Sequence, residues 1–260
     1  MKNILKFICF VAIFAAVGFN SIASEQSHKF FNPEWSFKGF FGKFDRASLQ
    51  RGYQVYAEVC SSCHSIKYLS YRNLSEPGGP EFSEEQAKSI AAQFEVEDGP
   101  NSDGEMFIRS AKLSDKFVMP YQNEQEATAS NGGAYPPDLS VIVKARSDGA
   151  NYIYSVLLGY EDPPSGISLD DGVYYNRYMY GNKIKMPKPL SNDLVTYSDG
   201  TSATEEQMAK DVVMFLTWAA EPHLEARHKL GFKAILYLII LTILVYFSMK
   251  KVWSRIESEV

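Results

Sequence analysis

The sequence Cys-Ser-Ser-Cys-His at residues 60–64 constrains this chain more than any other stretch. It has the form C-x-x-C-H, the attachment signature of a c-type haem. Two thiols three positions apart on a helical turn can add to the two vinyl groups of one porphyrin. The imidazole of His64 then lies under the porphyrin plane, where it can ligate the iron. We therefore predict one covalently bound haem c held by Cys60, Cys63 and His64.

Two other kinds of site use similar residues. A redox C-x-x-C pair of the thioredoxin type expects a βαβ context, which the residues after this motif do not provide. A zinc site needs four donors. The chain has only three cysteines, and the first of them, Cys9, lies in a segment that we expect to be removed. Haem attachment is therefore the favoured interpretation.

Residues 1–23 have the features of a cleaved bacterial signal peptide. Two lysines precede an apolar run over residues 7–19, and residues 21–23 offer small side chains at the positions that a signal peptidase recognises. An uncleaved anchor helix is the alternative, but the run is shorter than the ~20 residues that a span needs. Export agrees with haem attachment, which in bacteria takes place outside the cytoplasmic membrane.

A second apolar stretch predicts a transmembrane anchor over residues 230–250. From Phe232 to Met249 the sequence is apolar except for Lys233, which lies near one end and can snorkel. At 1.5 Å per residue this stretch covers roughly 27 Å, about the thickness of a bilayer core.

Basic residues after the span predict its orientation. Lys250, Lys251 and Arg255 follow the apolar stretch, and the positive-inside rule then places the tail 251–260 in the cytoplasm. Residues 24–229 become a periplasmic haem domain. The signal peptide predicts the same topology independently.

Apolar residues at intervals of three and four predict three helical regions, at 46–59, 138–158 and 202–220. The first delivers the haem motif at its C-terminal end. Gly52 in its middle is best explained by the close approach of another helix. The region 138–158 is expected to form two short helices.

The third region shows the clearest helix start in the chain. Residues 202–205 match a capping box, and Pro222 stops the helix. Between the predicted helices, residues 99–140 and 159–200 are rich in glycine and proline. Long loops of this kind suit the wrapping of a flat apolar group. The fold class is mainly α, a c-type cytochrome fold with long irregular loops around one haem.

Two further stretches have a distinctive composition. Residues 27–44 are rich in aromatic side chains at neither helical nor strand spacing, which favours an extended arm packed on the domain by its rings. Residues 81–98 carry six acidic side chains together with an apolar stripe of helical spacing. They form either a solvated helix face or a docking surface for a basic partner. With a formal net charge of −5, no nucleic-acid partner is expected.

Two methionines are candidates for the second axial ligand of the iron. Methionine is the usual partner of histidine in c-type cytochromes. Met119 and Met186 both lie in irregular segments and precede a proline, and we favour Met186 because it follows the long wrapping loop. A ligating histidine also donates its other ring N–H to a fixed acceptor. The Pro136-Pro137 turn, which has carbonyls but no amide donors, is a candidate.

Longer motifs resemble the cytochrome c1 family, the haem subunits of the cytochrome bc1 (quinol–cytochrome c reductase) complex. The resemblance covers nearly the whole chain after the signal peptide. Its motifs are R-G-Y-Q-V-Y at 51–56, C-S-S-C-H at 60–64, D-G-P-N-S-D-G-E-M-F at 98–107, P-P-D-L-S at 136–140, K-A-R at 144–146, Y-x-x-S-V-L-L-G-Y at 152–160 and A-K-D-V-V-x-F-L-x-W-A-A-E-P at 209–222.

The resemblance implies a set of site residues. Cys60 and Cys63 carry the haem, His64 and Met186 are its axial ligands, and Arg146 lies near a haem propionate. The family's ligand loop has a glycine before the methionine, whereas this chain has Lys185 there.

The resemblance also implies partners. Electrons arrive from the Rieske iron–sulfur protein and leave to a soluble or anchored cytochrome c, while the anchor helix docks on cytochrome b in a dimeric complex. The chain itself catalyses no bond chemistry. Two other functions stay open from the sequence: a free-standing, membrane-tethered cytochrome c shuttle, which would need a long flexible linker before the anchor, and a haem enzyme with an open iron site.

Overall fold

A computed structural model describes residues 29–257 of the chain. Residues 1–23, predicted to form the signal peptide, lie outside this described part. The fold is mainly helical, as predicted. Residues 29–257 contain six α-helices, in chain order α1 (Arg46–Val55), α2 (Glu84–Ala91), α3 (Glu124–Ser130), α4 (Gly149–Leu158), α5 (Glu205–Ala220) and α6 (Leu224–Glu257).

The remaining regular structure is short. A π-helical turn, Tyr56–Cys60, continues α1, and 3-10 turns occupy Tyr71–Ser75 and Tyr180–Asn182. In the described part of the chain, four strands form two antiparallel pairs: β1 (Glu95–Asp98) with β2 (Phe107–Ser110), and β3 (Tyr174–Tyr175) with β4 (Lys183–Ile184).

Helices α1 and α5 cross in direct backbone contact at the centre of the domain. A Cβ atom placed on Gly52 would lie 2.0 Å from the carbonyl oxygen of Asp211, far inside van der Waals distance. This confirms the predicted close approach of another helix at Gly52. Beside the crossing, the fully buried carboxylate of Asp211 accepts hydrogen bonds from Arg51 Nε at 2.8 Å and Gln207 Nε2 at 2.9 Å. A buried charge is tolerated only when it is paired in this way.

Aromatic rings fill the core on both sides of this crossing. Tyr53 of α1 and Tyr56 of the π-helical turn pack on Phe215 of α5, with ring centroids 5.8 and 5.7 Å apart. Tyr71 stacks on Phe117 at 4.6 Å. The helix that leads to the haem motif is therefore fixed along its length by buried rings.

The aromatic arm packs on the domain by its rings, as predicted, and its main contact is α4. Trp35 Nε1 donates a 2.6 Å hydrogen bond to Asn151 Oδ1, and its ring meets Tyr154 edge to face at 5.9 Å. The arm has two exceptions. The rings of Phe40 and Phe41 are 55% and 74% exposed and face the start of α6 instead of the core.

The prediction of two short helices over 138–158 is wrong in its first half. Residues 138–148 form turns, and a single helix, α4, begins at Gly149. The Asp138 side chain accepts from the Ser140 amide at 2.9 Å, a local bond that competes with helix formation. Just before α4, Asp148 has a left-handed φ of 54°, so the backbone enters that helix from a turn.

The capping box predicted at residues 202–205 is also wrong. Helix α5 begins at Glu205, and its N-cap is Thr204, whose hydroxyl accepts from the Gln207 amide at 3.2 Å. The Glu205 amide donates to Asn192 Oδ1 at 3.0 Å. A side chain from the preceding loop has taken the role that Ser202 was predicted to play.

The acidic segment 81–98 contains one helix and one strand. Helix α2 buries Ala87 and Ala91, as the apolar stripe predicted, but it ends before Phe94. The chain then turns into β1, which pairs with β2. Because of this turn the six acids are divided between a helix, a strand and the loop before them.

Helix α6 begins at Leu224, earlier than the predicted start at residue 230, after a break of three residues from α5. Its segment Leu224–Ser254 has a mean hydropathy of 2.3, and none of its apolar stretch is buried by the described part of the chain. It is long and apolar enough to cross a membrane. The first turn is joined to the domain by Glu225, which accepts from Arg46 at 2.8 and 3.0 Å and from the Phe44 amide at 3.0 Å.

Candidate haem site

The haem motif lies on the turn that ends α1. The Ser61 amide donates to the Tyr56 carbonyl at 2.8 Å, and the amides of Cys63 and His64 both donate to the Cys60 carbonyl, at 3.1 and 2.9 Å. Helix α1 thus delivers the motif at its C-terminal end, as predicted. A π-helical turn is rare and occurs often at functional sites. It ends at Cys60, and the turn over residues 61–63 then leads to Cys63 and His64.

Cys60 and Cys63 are both half-buried, and neither is part of a disulfide. Burial, with a smaller contribution from Cys63, raises the pKa of the Cys60 thiol to about 12. A redox C-x-x-C pair works through a thiol whose pKa is lowered, so this environment disfavours the thioredoxin interpretation. Within residues 29–257, no three His, Cys, Asp or Glu side chains converge to hold a metal ion.

The His64 imidazole has a fixed orientation. Its Nδ1 lies 2.8 Å from the carbonyl oxygen of Pro137, which confirms the acceptor predicted in the Pro136-Pro137 turn. A carbonyl can only accept, so Nδ1 carries the proton and the lone pair is on Nε2. Burial lowers the pKa of His64, against the opposing effects of the Pro137 carbonyl and Asp138. A neutral imidazole with Nε2 free beside two thiols is the donor set that a haem c needs.

Asp138 connects the segment that follows His64 to the segment that follows Pro137. Its carboxylate accepts from Ser65 Oγ at 2.7 Å and from the Lys67 amide at 3.0 Å. The Leu139 amide donates back to the Ser65 carbonyl at 2.8 Å. The segment after His64 is thereby fixed to the segment after Pro137. The sequence indicated Asp138 only as one letter of the P-P-D-L-S motif, without this role.

Met119 lines a cleft of about 200 Å³ next to the motif. The cleft also contains Cys63, Pro120, Tyr121, Tyr135 and Pro136. The Met119 side chain is 49% exposed. The first of the two ligand candidates thus lies near the attachment turn.

The Met186 loop is fixed by two hydrogen bonds. The Tyr160 hydroxyl donates to the Met186 carbonyl at 3.0 Å. The Lys185 ammonium, which stands where the family pattern has glycine, donates to the Gly132 carbonyl at 2.8 Å. Gly132 lies just before the segment that contains Pro137. The second candidate is therefore tied to the loop that orients His64. Sequence reasoning did not identify this role of Tyr160, which appeared only as the last residue of the motif at 152–160.

Arg146 is exposed and lies in the turn before α4. Its Nη1 donates to the carbonyl of the neighbouring Ala145 at 2.9 Å. The guanidinium forms no ion pair within the described chain. Its role beside a haem propionate stays a prediction.

Comparisons with known proteins agree with this site. The model of the cytochrome C1 family matches residues 35–256. Cytochrome c1 of Rhodospirillum rubrum is 43% identical over 258 residues, which cover 93% of this chain and 94% of the relative. Cytochrome c1 1, a mitochondrial heme protein of Arabidopsis thaliana, is 49% identical over 93% of this chain and 79% of its own length.

A third relative is much longer. Cytochrome b/c1 of Bradyrhizobium diazoefficiens is 49% identical over 251 residues, which are 89% of this chain but only 36% of that protein. This chain therefore spans about a third of that relative. The family match covers most of the chain, including the C-x-x-C-H turn and helix α6, and it agrees with the predicted haem c. The chain belongs to the cytochrome c1 family.

Proposed function

We propose that this chain takes single electrons from a Rieske iron–sulfur protein and passes them to a cytochrome c, as the haem subunit of a cytochrome bc1 complex. The observation that carries the proposal is the C-x-x-C-H turn, with His64 Nδ1 hydrogen-bonded to the Pro137 carbonyl, so that the lone pair of Nε2 is available to an iron ion. The role in electron transfer follows from membership of the family. The direction of transfer and the identity of both partners are the proposed part.

We assign the haem contacts to Cys60 and Cys63 as thioether attachments and to His64 and Met186 as axial ligands. Arg146 is assigned to a propionate. When bound, the haem supplies a reversible one-electron carrier. The residues of the chain hold it and set its potential: covalent attachment prevents its loss, and a methionine ligand raises the potential.

Met186 is favoured over Met119 because its loop is restrained. Tyr160 and Lys185 hold the loop from two sides, and Pro187 follows the ligand directly. A restrained ligand keeps the same geometry in both oxidation states, so little rearrangement accompanies electron transfer. Met119 is the alternative ligand, because it lines the cleft beside Cys63.

The proposed topology has the haem domain, residues 24–229, in the bacterial periplasm. Residues 1–23 are a cleaved signal peptide, residues 230–250 cross the membrane and residues 251–260 lie in the cytoplasm. The supports are the apolar helix α6, the basic residues that follow its apolar part and the extracytoplasmic site of haem attachment.

The short connection between the haem domain and the anchor helix α6 favours a subunit of a complex over a free-standing electron shuttle. Only Glu221–His223 separate α5 from α6, and the bidentate contact of Arg46 with Glu225 fixes the first turn of the anchor. A tethered shuttle needs a flexible linker to reach its partners. A rigid joint instead presents the haem at one fixed height and orientation to neighbouring subunits.

Cytochrome b is the proposed neighbour of the exposed apolar face of α6. The printed name of the Bradyrhizobium relative, cytochrome b/c1, joins these two components in one protein. The Rieske protein, a dimeric complex and a soluble or anchored cytochrome c as acceptor complete the proposed set of partners.

Co-purification and rapid kinetics test this proposal together. The tagged full chain, extracted from membranes in mild detergent, should bring down a b-type cytochrome and a [2Fe–2S] protein in equal amounts. Quinol should then reduce the haem c, and an inhibitor of quinol oxidation should block that reduction. A chain that elutes alone with its haem, and accepts electrons from soluble donors only, would identify the tethered shuttle instead. Strong carbon monoxide binding by the wild type would indicate a haem enzyme.

A further inference from the structure

A cleft of about 210 Å³ lies where α6 leaves the haem domain. Its walls come from two elements: the loop 41–43 of the aromatic arm, and the first turns of α6 at residues 225–233. It is far along the chain from the haem motif, and the proposed electron transfer assigns it no role.

Three lysines line this cleft, and no acidic side chain of the described chain forms an ion pair with them. Lys43, Lys229 and Lys233 form no ion pair within 4.0 Å in the described part of the chain. Glu225, the acidic residue in the wall, is already bound by Arg46 and the Phe44 amide. The cleft therefore carries excess positive charge, and Lys229 and Lys233 share one helix face because they are four residues apart.

Exposed aromatic rings place the cleft at the level of the membrane surface. Phe40 and Phe41 meet Phe232 with ring centroids 6.4 and 6.2 Å apart. Phe232 begins the apolar part of the anchor helix. Aromatic residues collect at the membrane–water interface, so these rings mark the boundary, and the lysines beside them lie at the depth of lipid headgroups.

We propose that this cleft binds the headgroup phosphate of an anionic phospholipid. The three ammonium groups would contact the phosphate, as Lys does at other phosphate sites, and one acyl chain would follow Phe232 and Leu236 along α6. Membrane proteins usually carry their lysines and arginines on the cytoplasmic side of a span. A bound anion would explain why three lysines lie on the opposite side here. The choice of the outer leaflet rests on the topology proposed above, but the lipid chemistry does not.

A phospholipid fits this surface better than an acidic protein segment. The cleft combines unpaired cations with an apolar wall that continues directly into the membrane-spanning surface. An acidic peptide would satisfy the lysines but would leave Phe41 and Phe232 exposed at the bilayer boundary. A phospholipid matches both parts at once.

The test uses the purified, haem-loaded complex in nanodiscs of phosphatidylcholine with a small fraction of phosphatidylglycerol. The variant is Lys43→Gln/Lys229→Gln/Lys233→Gln. The control, Lys112→Gln/Lys116→Gln/Lys183→Gln, removes the same charge from exposed positions of the haem domain. Native mass spectrometry counts retained phosphatidylglycerol, and titration with a spin-labelled phosphatidylglycerol gives its affinity.

The cleft variant should lose one phosphatidylglycerol per chain and bind the labelled lipid about tenfold or more weakly, whereas the control keeps wild-type values. Equal retention in both variants would overturn the proposal. Displacement of the lipid by inorganic phosphate alone would do the same, because it would identify a free-anion site. A photoreactive residue at position 43 that cross-links to a protein subunit instead of a lipid would show that a subunit covers the cleft. The lipid count does not depend on electron transfer, so the proposed lipid site can be disproved while the proposed function still holds.

Discussion

The Nδ1 atom of His64 lies 2.8 Å from the carbonyl oxygen of Pro137. Because proline has no amide N–H, the two prolines before Asp138 offer acceptors and no competing donor. The ring is thus fixed in one tautomer, and its other nitrogen is available to iron. This contact links the attachment turn at the end of α1 to a loop more than 70 residues away.

Asp138 should stabilise this link in a pH-dependent way. Burial alone would raise the pKa of Asp138, but the hydrogen bonds from Ser140, Lys67 and Ser65 outweigh it, so the pKa is lowered. Its contribution is then complete above the ordinary carboxyl value near 4 and is lost as the pH falls through the lowered value.

We expect Asp138→Asn to cost about 1–3 kcal/mol at pH 7, seen as a lower thermal midpoint of the full chain in detergent. The difference in thermal midpoint between this variant and the wild type should become smaller below about pH 4. Asp171→Asn, on an exposed loop, is the matched control and should have little effect. A difference in thermal midpoint that stays constant down to pH 2 would show that the charge of Asp138 contributes nothing to stability.

Gly52→Ala should displace α1 from α5. The new methyl group would meet the Asp211 carbonyl at 2.0 Å, and overpacking of this kind costs about 1–3 kcal/mol or more. The expected result is a lower thermal midpoint and less haem attached per chain. Gly231→Ala is the control, since nothing lies within 4 Å of a Cβ at that helical position. Equal midpoints for the two variants would contradict the close crossing.

Tyr160→Phe should loosen the methionine loop without removing the ligand. The hydroxyl that donates to the Met186 carbonyl would be gone, so the loop should release the ligand more often. We expect a lower haem potential and a small fraction of carbon monoxide binding by the reduced protein. The control is Tyr180→Phe, because the Tyr180 side chain is 96% exposed. If both variants keep the wild-type potential, Tyr160 does not position the ligand.

The acidic residues of segment 81–98 fall into two groups, those that form ion pairs and those that do not. Three of its acids are engaged: Glu81 with Arg46, Glu84 with Lys88, and Asp98 with Arg109. The other three, Glu85, Glu95 and Glu97, are exposed and form no ion pair in the described part of the chain. These three are the better candidates for steering a basic acceptor.

Replacing these unpaired glutamates by Gln should slow electron transfer to a basic soluble cytochrome c by about tenfold at low salt. The rate should also lose most of its salt dependence, because screening acts over about 10 Å at 0.1 M. The matched control replaces Glu81, Glu84 and Asp98, which are largely neutralised already. Wild-type rates and salt slope in the first variant would exclude this surface, and Glu161 and Asp162 would be tested next.

Several features were predictable because one local rule decides them. The C-x-x-C-H spacing sets the attachment chemistry, and the requirement for a carbonyl acceptor led to Pro137. Gly52 in a helix indicated a close neighbour, which is Asp211. In each case a single residue type has few physical explanations, so the sequence pattern was sufficient.

Other features depend on contacts between distant segments. Thr204 became the cap of α5 because Asn192, from an earlier loop, had taken the Glu205 amide. The turns after Asp138 replaced a helix because its carboxylate bonds locally and to Ser65. Short pairs such as Tyr174–Tyr175 with Lys183–Ile184 are too brief to leave a periodic pattern. No periodicity argument could have found these tertiary contacts.

The central claim, that His64 and Met186 hold the haem iron of an electron carrier, is tested most directly by the midpoint potential of Met186→Leu. We expect the haem to stay covalently attached through Cys60 and Cys63, the potential to fall, and the reduced protein to bind carbon monoxide. Met119→Leu should retain the wild-type potential and spectrum. An unchanged potential in Met186→Leu, with the fall appearing in Met119→Leu instead, would contradict the account and assign the axial position to Met119.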